Sequence, residues 1–317
     1  MKRPQAARGS AGGALRGPSP REYDDPRGHG HGAGAAGGPA QGGTGRGKRP
    51  IDLLVVSDVH LGTSACRAAE LNAYLKSVRP ARIILLGDIV DLWHIRRGFW
   101  SEDHTRVVRR LLKAVIGGTP VTWVTGNHDA ALRRFSPLAL GGLEITDRLE
   151  LDLEGGRTWF LHGDAFDLAI GTGRLAGRLG GWSYDRLLML NRGINTVRGW
   201  FGLPPMSVAK RIAGSIPAAR RHIARFEEAC ARAAAERGAA AIVTGHIHHA
   251  TDRVVMVDGT PVHLLNSGDW VESCTALEYV HGRWSLVRYD DLRAEGLVDD
   301  PRDADRTAEV PSLLAAG

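Results

Sequence analysis

Five short polar motifs hold the residues in this chain that could do chemistry. They are Ser57-Asp58-Val59-His60-Leu61-Gly62, Gly87-Asp88-Ile89-Val90-Asp91, Gly126-Asn127-His128-Asp129, His162-Gly163-Asp164 and Gly245-His246-Ile247-His248. Each follows an apolar run: Ile51–Val56, Ile83–Leu86, Val121–Val124, Trp159–Leu161 and Ala239–Val243. Short apolar runs closed by turn residues read as buried strands. Each run therefore delivers Asp, Asn or His at its C-terminal end, where ligand sites gather in open α/β sheets. In an extended segment, Asp58 and His60 would leave the same side of the backbone. A single Asp-x-His is a weak sign of metal binding. Five strand ends that each carry a ligand-capable side chain beside a glycine are not five independent accidents, because such glycines permit the close turns a site needs.

Seven residues are the candidate ligands: Asp58, His60, Asp88, Asn127, His162, His246 and His248. They offer imidazoles, carboxylates and one amide, and no thiolate. Mixed N/O donors suit Mn, Fe or Zn better than Ca or Mg. The set is too large for one tetrahedral ion but serves two ions if one carboxylate bridges them. Two ions about 3.5–4 Å apart can clamp a phosphoryl group and activate a water. His128, beside Asn127, reads as a non-ligand that contacts the phosphate or protonates the leaving oxygen. Asp91 and Asp129 are candidates for orienting the ligands, and His249 for a structural or rim role.

The elements that position these residues follow from periodicity. Between 51 and 163, strands alternate with helices expected near 66–78, 102–116 and 130–135, with further strands near 149–153 and 158–161. Alternation of this kind argues for an α/β fold. Residues 165–220 break the pattern with Gly, Arg, Leu and Trp, and read as a helical insertion beside the site. Its Trp182, Leu187, Leu188, Trp200 and Phe201 either pack on the body or form an apolar acceptor surface. A helix is expected over 217–237, stopped by Gly238. Past 249 the texture is all-β, with hairpin turns at Asp258-Gly259 and His281-Gly282. The chain from about 291 to 317 reads as a loosely held tail.

Charge is distributed unevenly. The net charge is +6 over 317 residues, with 41 Lys and Arg against 35 Asp and Glu. Residues 1–50 alone hold nine basic and three acidic residues, so the remaining chain balances at 32 against 32. The body thus offers no overall electrostatic case for nucleic acid. Residues 1–48 are rich in Gly, Ala, Arg and Pro. Such a segment cannot bury enough apolar surface to offset its ordering entropy and reads as disordered. The domain is therefore expected over 49–290, with the 165–220 insertion inside it. Three cysteines, far apart and odd in number, form no disulfide framework or zinc spacing. No run reaches the roughly 18 apolar residues of a membrane span, and no signal-peptide core stands at the N-terminus. The expectation is a cytoplasmic protein, with contact to the inner membrane surface left open.

The ordered set Asp-x-His, Gly-Asp-x-x-Asp, Gly-Asn-His-Asp, His-Gly-Asp and Gly-His-x-His resembles the calcineurin-like metallophosphoesterase superfamily, from about residue 51 to 290. The resemblance implies an αββα sandwich, two packed mixed sheets flanked by helices. It also implies one ion held by Asp58, His60, Asp88 and His248, a second by Asp88, Asn127, His162 and His246, and Mn²⁺ as the preferred metal. The Asp91-x-Trp93 continuation, and His162-Gly163-Asp164 leading into a helical insertion, look like the UDP-2,3-diacylglucosamine diphosphatase branch. That branch implies cleavage of a lipid-linked nucleotide to UMP and a lipid phosphate in lipid A biosynthesis. It also implies substrate contacts from Asn127, His128, Asn191, Arg192, Ser207 and Lys210. The chain departs from the branch in carrying His128 where its characterised members carry Arg. The alternative is a soluble phosphodiesterase or phosphatase with a different substrate. A scaffold that has lost its metals is disfavoured, because all seven ligand positions are filled.

Overall fold

The computed structural model describes residues 47–95, 98–170, 198 and 217–301. The basic tail and most of the expected insertion, including Asn191, Arg192, Ser207 and Lys210, lie outside the described residues. The first half of the domain runs β1 (Arg49–Val56), α1 (Ala68–Ser77), β2 (Val78–Leu86), α2 (Leu92–Ile95), α3 (Glu102–Ile116) and β3 (Val121–Val124). A 3₁₀ turn (Ala130–Phe135) leads to β4 (Leu138–Leu140), β5 (Leu143–Thr146), β6 (Leu149–Leu153), β7 (Gly156–Phe160) and α4 (Phe166–Ala169). From α5 (Pro217–Glu236) the chain continues through β8 (Ala241–Thr244), β9 (Thr251–Val257), β10 (Thr260–Asn266), β11 (Thr275–Val280), β12 (Arg283–Arg288) and α6 (Tyr289–Ala294).

Two mixed sheets result. One has seven strands in the order β12-β11-β1-β2-β3-β5-β4, the other five in the order β6-β7-β8-β10-β9. In the first, β1, β2, β3 and β5 run parallel, so the C-terminal ends of β1, β2 and β3 lie side by side. In the second, β7 and β8 are parallel, which brings His162 and Gly245 to one edge.

The central strands read as continuous apolar runs because both of their faces are buried. On the inner face of the larger sheet, Leu53, Val55, Ile84, Leu86, Val124, Leu277 and Tyr279 pack on Phe160, Val243 and Leu265 of the smaller one. On its outer face, Leu54, Val56, Ile83 and Leu85 meet Leu71, Tyr74 and Leu75 of α1, Val107 of α3, and Tyr289 and Leu292 of α6. The outer face of the smaller sheet, with Trp159, Ile242, Val262 and Leu264, is covered by Phe226, Cys230 and Ala234 of α5. The order helix–sheet–sheet–helix is the expected sandwich.

Helix α3 shows how local sequence fixes an element. Ser101 caps its N-terminus, and His104 closes a reciprocal capping box in the place usually held by Glu or Gln. Glu102 and Asp103 complement the dipole in the first turn, and Gly117 ends the helix. Both expected hairpins are present. Asp258 and Gly259 (φ 48° and 82°), like His281 and Gly282 (47° and 77°), are left-handed pairs of the type I′ kind.

Three features depart from the periodicity reading. Strands β4 and β5 form an additional hairpin through Gly141-Gly142 and extend the larger sheet. Helix α1 is shorter at both ends than the expected 66–78. Past residue 290 the chain does not leave the body at once: Leu292 and Val298 are buried, and the Tyr289 hydroxyl donates to the Asp299 carbonyl at 2.9 Å.

The inter-sheet core should dominate stability. Leu86→Ala removes a fully buried side chain and is expected to cost about 2–5 kcal/mol. Ile116→Ala, at a site 85% exposed, should change stability by less than about 0.5 kcal/mol. Equal denaturation midpoints for the two variants would contradict this placement of the core.

Candidate metal centre

All seven candidate ligands come together where the strand ends of the two sheets meet. Asp58, His60, Asp88 and Asn127 follow β1, β2 and β3 of the larger sheet. His162, His246 and His248 follow β7 and β8 of the smaller one. Among the described residues, six of the seven fall into two donor groups, Asp58, His60 and His248 in one and Asp88, His162 and His246 in the other, each with its donor atoms within 4.8 Å of one another. Asn127 joins the second group, its Oδ1 lying 3.2 Å from His162 Nε2.

The convergence of Asp58 and His60 arises differently from the extended geometry expected. Both residues are left-handed, with φ of 50° and 52°. Asp88 (53°), His246 (71°) and His248 (52°) share this conformation. Such backbone costs roughly 1–3 kcal/mol per residue and persists only where its surroundings fix it. Here the loops after β1 and β2 continue to pair: the N–H groups of Asp58, His60 and Leu61 donate to the carbonyls of Gly87, Asp88 and Ile89 at 3.1, 2.9 and 2.9 Å. Left-handed kinks inside a continued ladder turn the side chains inward.

The motif glycines are steric necessities. A Cβ on Gly126 would lie 2.2 Å from Asp88 Oδ1, and one on Gly245 would lie 2.4 Å from Asp58 Oδ2. A Cβ on Gly87 would lie 2.3 Å from the His162 ring. The side chains of Asp88, Asp58 and His162 fill the space that a larger residue would need.

Asp88 sits between the two groups. Its Oδ2 lies 3.3 Å from His162 Nε2 and 4.0 Å from both His60 Nε2 and His128 Nε2, while its Oδ1 accepts the His128 N–H at 2.7 Å. Burial opposes the charge on Asp88, but His162, then His60 and His128, hold its carboxyl well below the usual carboxylate range. Burial likewise opposes a proton on His248, yet Asp58, 3.2 Å away, pushes that imidazole up to about 9.

Further contacts set the tautomers. His162 Nδ1 donates to the Leu86 carbonyl at 2.9 Å, which commits Nε2 to the site. His246 Nε2 lies 2.8 Å from Asp167 Oδ2, which leaves Nδ1 for an ion. Asp91 Oδ2 faces His60 Nδ1 at 3.4 Å and His128 Nδ1 at 2.8 Å. Asp129 holds backbone instead: it accepts from the N–H groups of Gly126 and Ile89 and from the Trp123 indole. A donor set of this chemistry, in a cradle too tight for any Cβ, fits divalent ions.

A calcineurin-like phosphoesterase family model matches residues 51–250, a stretch containing every one of these candidate ligands. The chain belongs to that family. It is 27% identical over 269 residues to a UDP-2,3-diacylglucosamine hydrolase of Bordetella parapertussis, covering 78% of this chain and 96% of that one. A Pseudomonas putida protein of the same name is 23% identical over 250 residues, covering 75% and 99%. Among solved structures, a dimetal phosphatase from Danio rerio aligns with a TM-score of 0.36 at 14% identity, over 75% of this chain and 96% of that one. An archaeal phosphodiesterase aligns with a TM-score of 0.33 at 13% identity, over 74% and 98%. The protein is a metal-dependent hydrolase of this family, with a divalent-metal site at the His/Asp cluster.

Three residues of this phosphoesterase site were not singled out by sequence. His94 places Nδ1 2.9 Å from Asp91 Oδ2; its position three residues after Asp91 was the available signal. Arg133 Nη2 donates to both carboxylate oxygens of Asp164, at 2.9 and 2.8 Å, tying the 3₁₀ turn to the His162 loop. Asp167 lies five residues past His162, with no local pattern to mark it. His249 is exposed, as a rim residue would be. Among the described residues, no helix is long and apolar enough to cross a membrane.

The charge pairing predicts a pH response in the metal-free protein. His248 is raised, so its contribution to stability is fully present below its unfolded value of about 6.5 and is lost as pH rises through about 9. Asp58 is lowered against the opposing effect of its burial, chiefly by His248. Its contribution is present above about pH 3.9 and is lost as pH falls toward the depressed value. The thermal midpoint of metal-free protein should therefore decline from pH 6.5 to 9. The stabilisation on adding divalent metal should grow over the same interval, because ions need deprotonated imidazoles. A flat metal-free midpoint across that interval would refute the pairing.

Proposed function

We propose that this chain is a dinuclear-metal hydrolase that cleaves UDP-2,3-diacylglucosamine, or a similar lipid-linked nucleotide, to UMP and a lipid phosphate. The carrying observation is the position of Asp88, one buried carboxylate facing both imidazole groups. In this reading Asp58, His60, Asp88 and His248 hold one ion, and Asp88, Asn127, His162 and His246 hold the other. The mixed donors suit Mn²⁺, Fe or Zn, and Mn²⁺ is the metal taken in this reading, with Fe or Zn as substitutes. Two such ions, when bound, supply Lewis acidity toward a phosphoryl group and lower the pKa of a water. The substrate class is supported by relatives of that name, which the alignment covers almost from end to end. In this reading the enzyme works in the cytoplasm, at the inner membrane surface.

The chain's own residues then act as follows. His128 is the proton donor to the leaving oxygen. Burial opposes its proton, but the bond to Asp91 and the charges of Asp88 and Asp91 raise its pKa above the ordinary histidine value. Asp91 is a positioning residue that fixes the ring through Nδ1. Trp93 packs at 4.3 Å between ring centroids against His128 and shields it on one side. Asn127 and His128 face the phosphate. Asn191, Arg192, Ser207 and Lys210, outside the described residues, are proposed to contact the rest of the substrate, with insertion 165–220 receiving the acyl chains. The presence of His128 at the position held by Arg in the resembling branch favours a soluble phosphodiester as the second reading.

Two measurements decide. Hydrolysis of UDP-2,3-diacylglucosamine in detergent micelles with Mn²⁺ should be strongly preferred over UDP-glucose, with UMP released. Comparable rates, or none on the lipid, would move the search to soluble phosphodiesters. His128→Ala should keep its metal and slow turnover by about 10²–10⁴-fold, whereas Asp88→Ala should lose both metal and turnover. An Asp88→Ala protein with full metal content and near-normal rate would sink the dinuclear assignment.

A further inference from the structure

Besides these two donor groups, His60, Asp88 and His128 form another among the described residues, and a fourth is made of Asp91, His94 and His128, its donor atoms also within 4.8 Å of one another. We propose that these three residues form a separate cation site that takes Zn²⁺, and that its occupation inhibits the enzyme by removing His128 from use. The inhibitory part rests on His128 acting as proposed above; the site itself does not.

The carboxylate is built for the task. Asp91 Oδ1 accepts the backbone N–H groups of Trp93 and His94 at 3.1 and 3.0 Å. With that oxygen pinned, Oδ2 is aimed at the imidazoles. It lies 2.8 Å from His128 Nδ1 and 2.9 Å from His94 Nδ1, with His60 Nδ1 farther off at 3.4 Å. Two imidazole nitrogens and one carboxylate oxygen form a donor set suited to Zn²⁺ rather than to Mg²⁺ or Ca²⁺. At Zn–N and Zn–O distances near 2.1 Å, tetrahedral donors stand roughly 3.4 Å apart, so the two rings need to swing by about half an ångström. Access is available. The His94 and His128 side chains are 23% and 18% exposed, while that of Asp91 is 2% exposed.

A ring that is charged before binding gives one proton to solvent as the ion takes its Nδ1. Each neutral ring that donates through Nδ1 would carry its proton on Nε2 and present the Nδ1 lone pair to the ion. For His128, the proton donor above, the Nδ1 proton leaves to solvent and the one that remains on Nε2 faces Asp88, whose Oδ2 lies 4.0 Å away. The ring would be locked to the cation and no longer held by its hydrogen bond to Asp91.

The test is equilibrium dialysis of the full-length protein against Zn²⁺, with metal counted per chain. It compares wild type with His94→Ala and with His94→Gln, which keeps a donor for Asp91. Both variants should hold one ion fewer than wild type. That difference is independent of how many ions the other residues hold, so an error in the dinuclear assignment shows in the base count and an error here shows in the difference. Each protein's hydrolysis rate should also be normalised to its own rate with Mn²⁺ alone. Added low-micromolar Zn²⁺ should then lower the wild-type ratio at least about tenfold, since acid–base groups contribute 10²–10⁴-fold. Both variants should keep a ratio near one. Equal ion counts would overturn the site. Equal inhibition of variant and wild type would overturn its inhibitory role and place the Zn²⁺ effect at the other donor groups.

Discussion

The structure depends on keeping two carboxylates charged in a place where burial opposes their charge. Asp58 and Asp88 are almost wholly buried, and an isolated buried carboxylate would take up a proton. They stay ionised because imidazoles face them, His248 toward Asp58 and His162 toward Asp88. The imidazoles in turn hold protons more tightly than free histidine. Divalent ions relieve both halves of this arrangement, since a cation can take the place of imidazolium protons beside the carboxylates. The metal-free centre is therefore an ion-pair cluster whose geometry is already close to what metal requires.

Holding that cluster demands backbone conformations that side chains disfavour. Five of the seven candidate ligands are left-handed, which is tolerable for Asp and His more than for β-branched residues. Their placement is enforced from below by the continued pairing of the β1 and β2 loops, and from the side by the end of β10 and the chain that follows it. There, Asn266 Nδ2 donates to the Gly245 carbonyl at 2.7 Å, and the Trp270 N–H donates to the Asp58 carbonyl at 3.0 Å. The strain sits at the strand ends, beside the core packed between the sheets.

Much of this was legible in the sequence because the signals were local. An apolar run followed by Gly and a ligand-capable residue specifies both strand and site. The central strands, helix α3 and the two I′ hairpins could be placed on that basis. The β4–β5 hairpin carried a Gly-Gly turn between alternating residues but was too short to stand out from its surroundings. The left-handed conformation of Asp58 and His60 was hidden for another reason: period-two reasoning assumes an extended chain, and the ladder that fixes these residues comes from β2. Asp167 and the Arg133–Asp164 pair were hidden because they are defined only by neighbours distant in sequence.

The division of ligands between the sheets has a consequence for how site and fold depend on each other. In the first donor group, Asp58 and His60 come from the larger sheet and His248 from the smaller; in the second, Asp88 comes from the larger and His162 and His246 from the smaller. Neither group can form within one sheet. Whatever holds the sheets in register, above all the packing of Ile84, Leu86 and Val124 on Phe160 and Val243, also sets the distances between donors. Conversely, an ion bound by either group would cross-link the sheets. Because such an ion binds the folded arrangement and not the unfolded chain, its binding free energy adds to the stability of the sandwich. Site assembly and sheet packing are thus one cooperative process, and Asp88, reaching toward both groups from the end of β2, is where the two are joined.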